Sequence, residues 1–310
     1  MNKGLTITLI TLLSILLIGV VGIMIFLFRG DIDLSKVAMS FGESKTLIDE
    51  KEINNIKPLN IETNRSDITV ETKDEYINSI KVELYSDYAE EYEITENENE
   101  IKVILKDKKM VSFSTKASKV KIYVPSTYDK DITVNGKTGD VELGYLSNSN
   151  ANITLTTGDV VIKDIKNADI NGTTGDIIVK KANDLNVSLT TGDVEIGKAN
   201  KVDVSATTGD IDVDYANDVK VKLTTGDITL GTINNYINLK STTGDIKVST
   251  ANLNKNSKID NGTGDIKINS TSGCYVEAKT KIGDTNVDNN DRKSDITLTI
   301  NSRIGDIKVN

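Results

Sequence analysis

Apolar and polar residues alternate one by one through most of the chain, a pattern that is typical of half-buried β-strands. In one unit Leu185, Val187 and Leu189 precede the tetrapeptide TTGD, and Val194 and Ile196 follow it. The units around the neighbouring TTGD sequences alternate in the same way. Each unit is therefore predicted to be a strand, a TTGD corner and a shorter strand.

A second corner is predicted in each unit, seven to eight residues after the glycine, where an Ala-Asn pair recurs. Asn tolerates the left-handed backbone conformation that tight corners require. The clearest pairs are Ala182-Asn183, Ala199-Asn200, Ala216-Asn217 and Ala251-Asn252.

From residue 131 onward the Gly-Asp pair repeats at intervals of 17 to 22 residues. A unit of this length cannot bury its apolar side alone, but a stack of like units can. The predicted fold is all-β, a parallel β-solenoid (β-helix-like) of about ten coils of 17–20 residues, with layers about 4.8 Å apart. An antiparallel meander or a sandwich of hairpins is the alternative. The predicted structural turns are Gly139, Gly158, Gly175, Gly192, Gly209, Gly226, Gly244, Gly264, Gly283 and Gly305.

The position three residues before each glycine alternates between large and small side chains. Stacked layers would otherwise place two leucines against each other, so the alternation predicts interdigitated packing. The row is Leu155, Gly172, Leu189, Ala206, Leu223 and Ser241.

An uncharged, mostly apolar run extends from Leu5 to Phe28, between Lys3 and Arg29. As a helix it would be about 36 Å long, enough to cross the roughly 30 Å hydrocarbon core of a bilayer. A cleaved signal peptide is the alternative, although the run is not followed by an A-x-A-like cleavage site. We predict one uncleaved transmembrane helix within residues 1–30. The polar, Asn- and Thr-rich remainder favours a single-pass protein of the cell membrane with an extracellular C-terminal domain.

The rest of the chain is divided into a connector and a domain according to how regularly apolar and polar residues alternate. Residues 31–55 are predicted to be a polar connector, and residues 56–310 a single β-solenoid domain. Within it, residues 56–130 form irregular N-terminal coils and residues 131–310 the TTGD repeats. The stretch LNIETNRSDITVE, from Leu59 to Glu71, is predicted to be a degenerate coil in which Ser66-Asp67 replaces Gly-Asp. The repeat also degenerates at Gly283 and Gly305, as terminal capping units do.

The composition narrows the functional classes. The chain has a formal net charge of −9, no His and one cysteine, Cys274. An intrachain disulfide is excluded, and a metal site built on His or Cys is not expected. The acidic surface should repel nucleic acid, so no nucleic-acid partner is predicted. No cofactor is predicted either. Cys274 is predicted to be a small, partly buried filler.

The aspartates of the repeat raise an electrostatic problem, because carboxylates about 4.8 Å apart repel by about 0.9 kcal/mol in water. Each Asp could accept hydrogen bonds from N–H groups of its own turn, could point outward into water, or could share a cation with the next layer. Turn capping is the preferred hypothesis. The alternative, a calcium ladder, would comprise Asp159, Asp176, Asp193, Asp210, Asp227 and Asp245.

No catalytic residue is predicted. A general acid and base require two carboxyl groups in different environments, whereas one Asp per layer gives each the same environment. A polysaccharide-acting β-helix enzyme is a remote alternative. A carbohydrate-binding surface would need exposed aromatic side chains, and Tyr145 and Tyr215 occupy the same place in their units, four layers apart. The tyrosines are scattered, so they are interpreted as ordinary solenoid surface.

The sequences IETNRSDITVE and KVKIYVPSTYDKDITVNGKTGDVEL, followed by serial TTGDI and TTGDV units, resemble a bacterial adhesin-like family of unknown function. The resemblance covers about Leu59 to Val309 and implies a β-helix-like solenoid, often behind an N-terminal membrane span. It implies a non-catalytic interaction module of the cell envelope, with a cell-wall, surface or membrane-protein partner. The alternative is an envelope-stress or regulatory accessory protein in the membrane.

Overall fold

The computed structural model describes residues 46–108, 117–288 and 292–310. These residues form β-strands and no helix, so the described part of the chain holds no helix of the length and apolarity that a membrane span needs. The predicted anchor, Leu5–Phe28, and residues 31–45 of the predicted connector lie outside the described residues. The transmembrane helix therefore stays a prediction.

The described strands are numbered in chain order. They are β1 Leu47–Ile53, β2 Leu59–Thr63, β3 Ser66–Thr72, β4 Ile80–Tyr85, β5 Ala89–Glu96, β6 Ile101–Asp107, β7 Ser118–Val124, β8 Ile132–Thr138, β9 Val141–Thr157, β10 Val160–Thr174, β11 Ile177–Thr191, β12 Val194–Lys198, β13 Lys201–Thr208, β14 Ile211–Thr225, β15 Ile228–Thr243, β16 Ile246–Asn252, β17 Ser257–Thr263, β18 Ile266–Ile268, β19 Thr271–Ser272, β20 Tyr275–Ile282, β21 Thr285–Val287, β22 Thr297–Ile304 and β23 Ile307–Val309.

The repeat forms parallel layers in register, which confirms the all-β parallel solenoid. Ile170 lies opposite Val187, which lies opposite Val204 and then Val221 in the following layers. The solenoid has about nine turns, fewer than the roughly ten predicted.

The interior is one continuous cluster of aliphatic side chains that runs from Ile53 to Val309. The predicted alternation of large and small residues lies inside it: Leu189 faces Gly172 on one side and Ala206 on the other. A Cβ added to Gly172 would lie 2.9 Å from Cδ1 of Leu189, so the leucine fills the space that the glycine leaves. Interdigitated packing is confirmed.

The C-terminal windings do not stack in chain order. β22 and β23 lie between the layer of β17 and β18 and the layer of β20 and β21. The prediction that successive windings lie on each other is therefore wrong at this end. The size of the inward residues gives the reason, because the inserted strand places Leu298 and Ile300 inward, whereas the outer strand places the smaller Val276 and Ala278 there. The more apolar strand occupies the inner position.

The N-terminal end is also stacked out of order. β2 and β3 form the predicted degenerate coil, and this layer lies between that of β6 and β7 and that of β8 and β9. The irregular coils belong to the same sheet as the repeats, but they are not all parallel. β4 pairs antiparallel with β7, β1 with β4, and β5 with β6. β1 falls within the predicted connector, and its pairing buries Ile53 against the core.

The alternating row predicts a cost for overpacking. Ala206 lies between Leu189 and Leu223, so Ala206→Leu should place three leucines in contact and lower the free energy of unfolding by about 1–3 kcal/mol. Urea denaturation followed by circular dichroism would measure the loss. Ser205→Leu, at the outward-facing neighbour, is the matched control and should change stability little. Equal stability of both variants would contradict the packing.

Candidate functional site

The Gly-Asp corner is built so that only glycine fits. All ten corner glycines have φ between +128° and +141°, a conformation that side chains disfavour. The next layer adds a second restriction. A Cβ on Gly158 would lie 2.0 Å from the carbonyl oxygen of Gly139 in the layer before it. The close approach recurs at every layer, so the repeated glycine follows from stacking as well as from the turn.

Each aspartate bonds to the next layer and not to its own turn. The backbone N–H of Asp176 donates to Oδ1 of Asp159 at 2.8 Å, and the N–H of Asp193 donates to Oδ1 of Asp176 at 2.8 Å. The aspartate ladder formed in this way runs through Asp67, Asp140, Asp159, Asp176, Asp193, Asp210, Asp227, Asp245, Asp265, Asp306 and Asp284, with N–O distances of 2.7–3.0 Å.

The ladder replaces a backbone acceptor that the corner has lost. The carbonyl of each corner glycine faces the Cα of the glycine above, so the N–H of the following Asp needs another acceptor. The carboxylate below supplies it, through a charge-assisted hydrogen bond. The predicted residues are the right ones, and hydrogen bonding was the preferred hypothesis. The N–H donor, however, lies in the neighbouring layer and not in the same turn as predicted. The partner became visible only once the register was known.

The six aspartates of the calcium hypothesis occupy successive layers of this ladder. Each contributes one carboxylate per layer, with Oδ1 accepting a backbone N–H. Within the described ranges, no group of three or more acidic, His or Cys side chains is placed to hold a metal ion. Calcium binding stays a hypothesis, which a calcium-dependent rise in melting temperature would support.

The second corner carries a ladder of amides. Nδ2 of Asn167 donates to Oδ1 of Asn150 at 2.8 Å, and Nδ2 of Asn217 donates to Oδ1 of Asn200 at 2.8 Å. The alanine before the asparagine points inward and is buried, as in Ala216. Stacked amides satisfy each other because every side chain has both a donor and an acceptor. The Ala-Asn signal thus marks a corner with a small residue inside and a self-pairing residue outside.

An outer column of side chains lies beside the amide ladder. The register places Tyr145, Asp164, Lys181, Lys198 and Tyr215 in successive layers, so the two tyrosines are about 19 Å apart. Tyr145 is 68% exposed. Lys181 pairs with Asp164 at 2.6 Å, whereas Nζ of Lys198 lies 5.2 Å from the centre of the Tyr215 ring. A shallow groove of about 420 Å³ follows this outer column.

One buried acidic cluster was missed by the sequence reasoning. Asp107 accepts hydrogen bonds from Oγ of Ser86 at 2.7 Å and from Oγ of Ser118 at 2.6 Å, and all three side chains are buried. The arrangement has hydroxyls beside a carboxylate, as nucleophilic sites do, but the chain has no His to act as a base. The hydroxyls satisfy a buried charge, which is a structural role.

A second polar cluster lies on the outer face of β4 and β7. Lys81 forms an ion pair with Glu83 at 2.9 Å, and the Tyr85 hydroxyl donates to Glu83 at 2.9 Å. Burial and the hydrogen bond to Glu83 raise the pKa of Tyr85 to about 12. Tyr85 therefore acts as a hydrogen-bond donor to Glu83.

Comparison with known families identifies the fold. The sequence profile of the Toastrack DUF4097 family matches residues 56–234 and 197–310, which together span most of the chain. The chain belongs to the Toastrack DUF4097 family. The match confirms the adhesin-like resemblance seen in the TTGD units, and it covers the irregular N-terminal coils of this Toastrack chain as well as its repeats.

Solved bacterial proteins show a distant similarity to the chain. A candidate adhesin from Bacteroides fragilis is 16% identical, with a TM-score of 0.44 and coverage of 87% of this chain and 100% of its own. One from Parabacteroides merdae is 16% identical, with a TM-score of 0.42 and coverage of 86% and 98%.

A candidate lipid-binding protein from Parabacteroides distasonis is 14% identical, with a TM-score of 0.42 and coverage of 86% and 99%. No curated protein matches the chain. At these TM-scores the likenesses carry no argument about what the Toastrack chain binds.

The aspartate ladder predicts a difference between two substitutions at Asp193. Asp193→Ala should lower the free energy of unfolding by about 1–2 kcal/mol, because the N–H of Asp210 loses its acceptor. Asp193→Asn keeps an acceptor oxygen and should lose less. Urea denaturation would measure both variants, and hydrogen exchange should accelerate at the Asp210 amide in the alanine variant. Equal losses would indicate that the carboxylate acts in some other way.

Proposed function

We propose that this Toastrack chain is a membrane-anchored, extracellular, non-catalytic interaction module of the bacterial cell envelope. The apolar run Leu5–Phe28 supports the anchor, and the polar remainder supports exposure outside the cell. The adhesin-like character of the family is consistent with a surface role. The outer column from Tyr145 to Tyr215 is the single observation that carries the proposal.

The outer column has the features of a binding surface. Tyrosine supplies a large contact area at a small cost in conformational entropy, and it combines an apolar ring with a polar hydroxyl. Tyr215 is held in place, since its hydroxyl oxygen accepts a hydrogen bond from Nδ2 of Asn234 at 2.7 Å. Lys198 forms no ion pair with the described residues, so its ammonium group remains available beside the ring. Tyr145 is exposed in the layer before Asp164, whereas the groove itself is lined from Asp164 to Tyr215.

The chemistry of the remaining surface supports binding over catalysis. The corner aspartates share one environment, and the side chain of Asp107 is buried away from solvent. Different roles for two carboxyl groups would need different environments. Five grooves on the described faces are shallow and have volumes of about 250–440 Å³. An extended partner that lies along the layers fits such a surface better than an enclosed substrate does.

The anchor predicts a location that cell fractionation can measure. The full-length chain with a C-terminal epitope tag should sediment with membranes and resist carbonate extraction. Protease added to intact cells should remove the tag, because the domain would lie outside. A variant without residues 1–30 is the matched control and should leave the membrane fraction. A tag that stays protected until the cells are lysed would contradict the proposal.

The outer column predicts which tyrosine matters for binding. Tyr145→Ala should weaken the binding of the full-length chain to isolated cell envelopes by about tenfold, which corresponds to 1.4 kcal/mol. Tyr92→Ala is the matched control, because Tyr92 is also exposed but lies on β5, away from the outer column. A co-sedimentation titration would compare them. Equal binding by both variants would show that the outer column is not the contact surface.

A further inference from the structure

The layers at the C-terminal end leave a slot in the solenoid. From β19 the chain continues into β20, but β20 does not pair with β17, the strand at its place in the layer before. The chain therefore climbs two layers between Ser272 and Tyr275. Gly273 lies at this step with φ of +75°, unlike the corner glycines. The slot is bounded by β17 and β18 on one side and by β20 and β21 on the other.

The segment Thr297–Val309 fills this slot and bonds to both walls. The N–H of Gly264 donates to the carbonyl of Ile304 at 2.9 Å, and the N–H of Gly305 donates to that of Ile282 at 2.9 Å. The aspartate ladder also passes through the inserted segment: the Asp306 N–H bonds to Asp265, and the Asp284 N–H bonds to Asp306, both at 2.8 Å. The segment is thus held by backbone and ladder contacts that any copy of the chain could supply.

The inward-facing row is more polar at the slot than in the middle of the solenoid. Where other layers place Leu223 or Leu189, the slot places Asn261, Ser302 and Thr280. The Ser302 hydroxyl is buried and has no hydrogen-bond partner within the described part of the chain. Apolar burial therefore holds this side of the inserted segment less strongly than it holds a central layer. The inserted segment still buries Leu298, Ile300, Ile307 and Val309, so the weakening is confined to the row of Ser302.

We infer that Thr297–Val309 is an exchangeable strand, which a second copy of this chain can insert into the same slot. An exchanged strand makes the same contacts as the chain's own strand, so exchange costs little beyond bringing two copies together. Nine residues separate Val287 from Thr297 along the chain. The inference goes beyond the proposed function, because it adds a second copy of this chain as a partner. The slot lies at the end of the layer stack opposite to β1.

Cysteine trapping between two full-length copies tests the exchange. Lys258 and Thr299 face each other in register across one wall of the slot. Neighbouring strands are about 4.8 Å apart, within the Cα separation of roughly 4.4–6.8 Å that a disulfide allows. One copy carries Lys258→Cys and the other Thr299→Cys, with different N-terminal tags. After mixing in detergent micelles and mild oxidation, a disulfide-linked dimer with both tags should form and increase with concentration.

The matched control uses the same column of the solenoid. Asp203 and Lys220 also face each other in register, but their layers follow chain order and leave no strand to exchange. Copies with Asp203→Cys and copies with Lys220→Cys should give about tenfold less mixed dimer than the slot pair. Buried Cys274 is present in both mixtures and does not distinguish them. Equal yields, or no dimer from the slot pair, would overturn the inference.

A single copy that carries both Lys258→Cys and Thr299→Cys keeps the test interpretable. It should close an intramolecular disulfide, which shows that the variants fold with the native register. The locked copy should then no longer form mixed dimers. Because the test takes place in micelles, its failure would leave the location and the Tyr145 results unchanged. A cytosolic location would remove the proposed function without changing the dimer yield.

Discussion

The structure depends on in-register parallel stacking, with one layer about every 4.8 Å. Stacking places each corner glycine against the glycine of the next layer so closely that a Cβ would collide with a carbonyl oxygen. It also leaves the following N–H without a backbone acceptor, and the aspartate of the layer before supplies one. The repeated TTGD is therefore the sequence form of a contact between layers. Repulsion between neighbouring carboxylates is offset because each one accepts a charge-assisted hydrogen bond.

The same constraint decides where function can lie. A residue that repeats in every layer has the same neighbours in every layer, so the ladder residues serve the fold. Inward positions vary only in the size of small and aliphatic side chains, so chemical variation lies mainly at outward positions and at the two ends. Along the outer column, one position holds tyrosine, aspartate and lysine in successive layers. Binding specificity in such a protein comes from what departs from the repeat, which is why the outer column and the slot carry the two proposals.

The ends of the stack are shaped by the need to protect open strand edges. At both ends an inner layer comes from a chain segment that is out of order in the stack. At the C-terminal end Lys279 and Lys281 lie on the outer strand, where charge discourages further pairing. At the other end antiparallel strands cover β6 and β7. At the C-terminal end the strand that carries Leu298 and Ile300 takes the inner place, although it comes later in the chain.

The sequence by itself determined the parallel solenoid, the corner positions, the alternation around Leu189 and the common column of Tyr145 and Tyr215. These follow from periodicity, because identical spacing brings like residues over like. Tertiary structure decided the partner of each aspartate, the position of the last strand and the place of β1 in the fold. Those contacts join residues of different layers, and the pattern within one unit does not show which other unit lies next to it. The alternation allows several stacking orders of the strands, and the packing energy of the whole stack selects one of them.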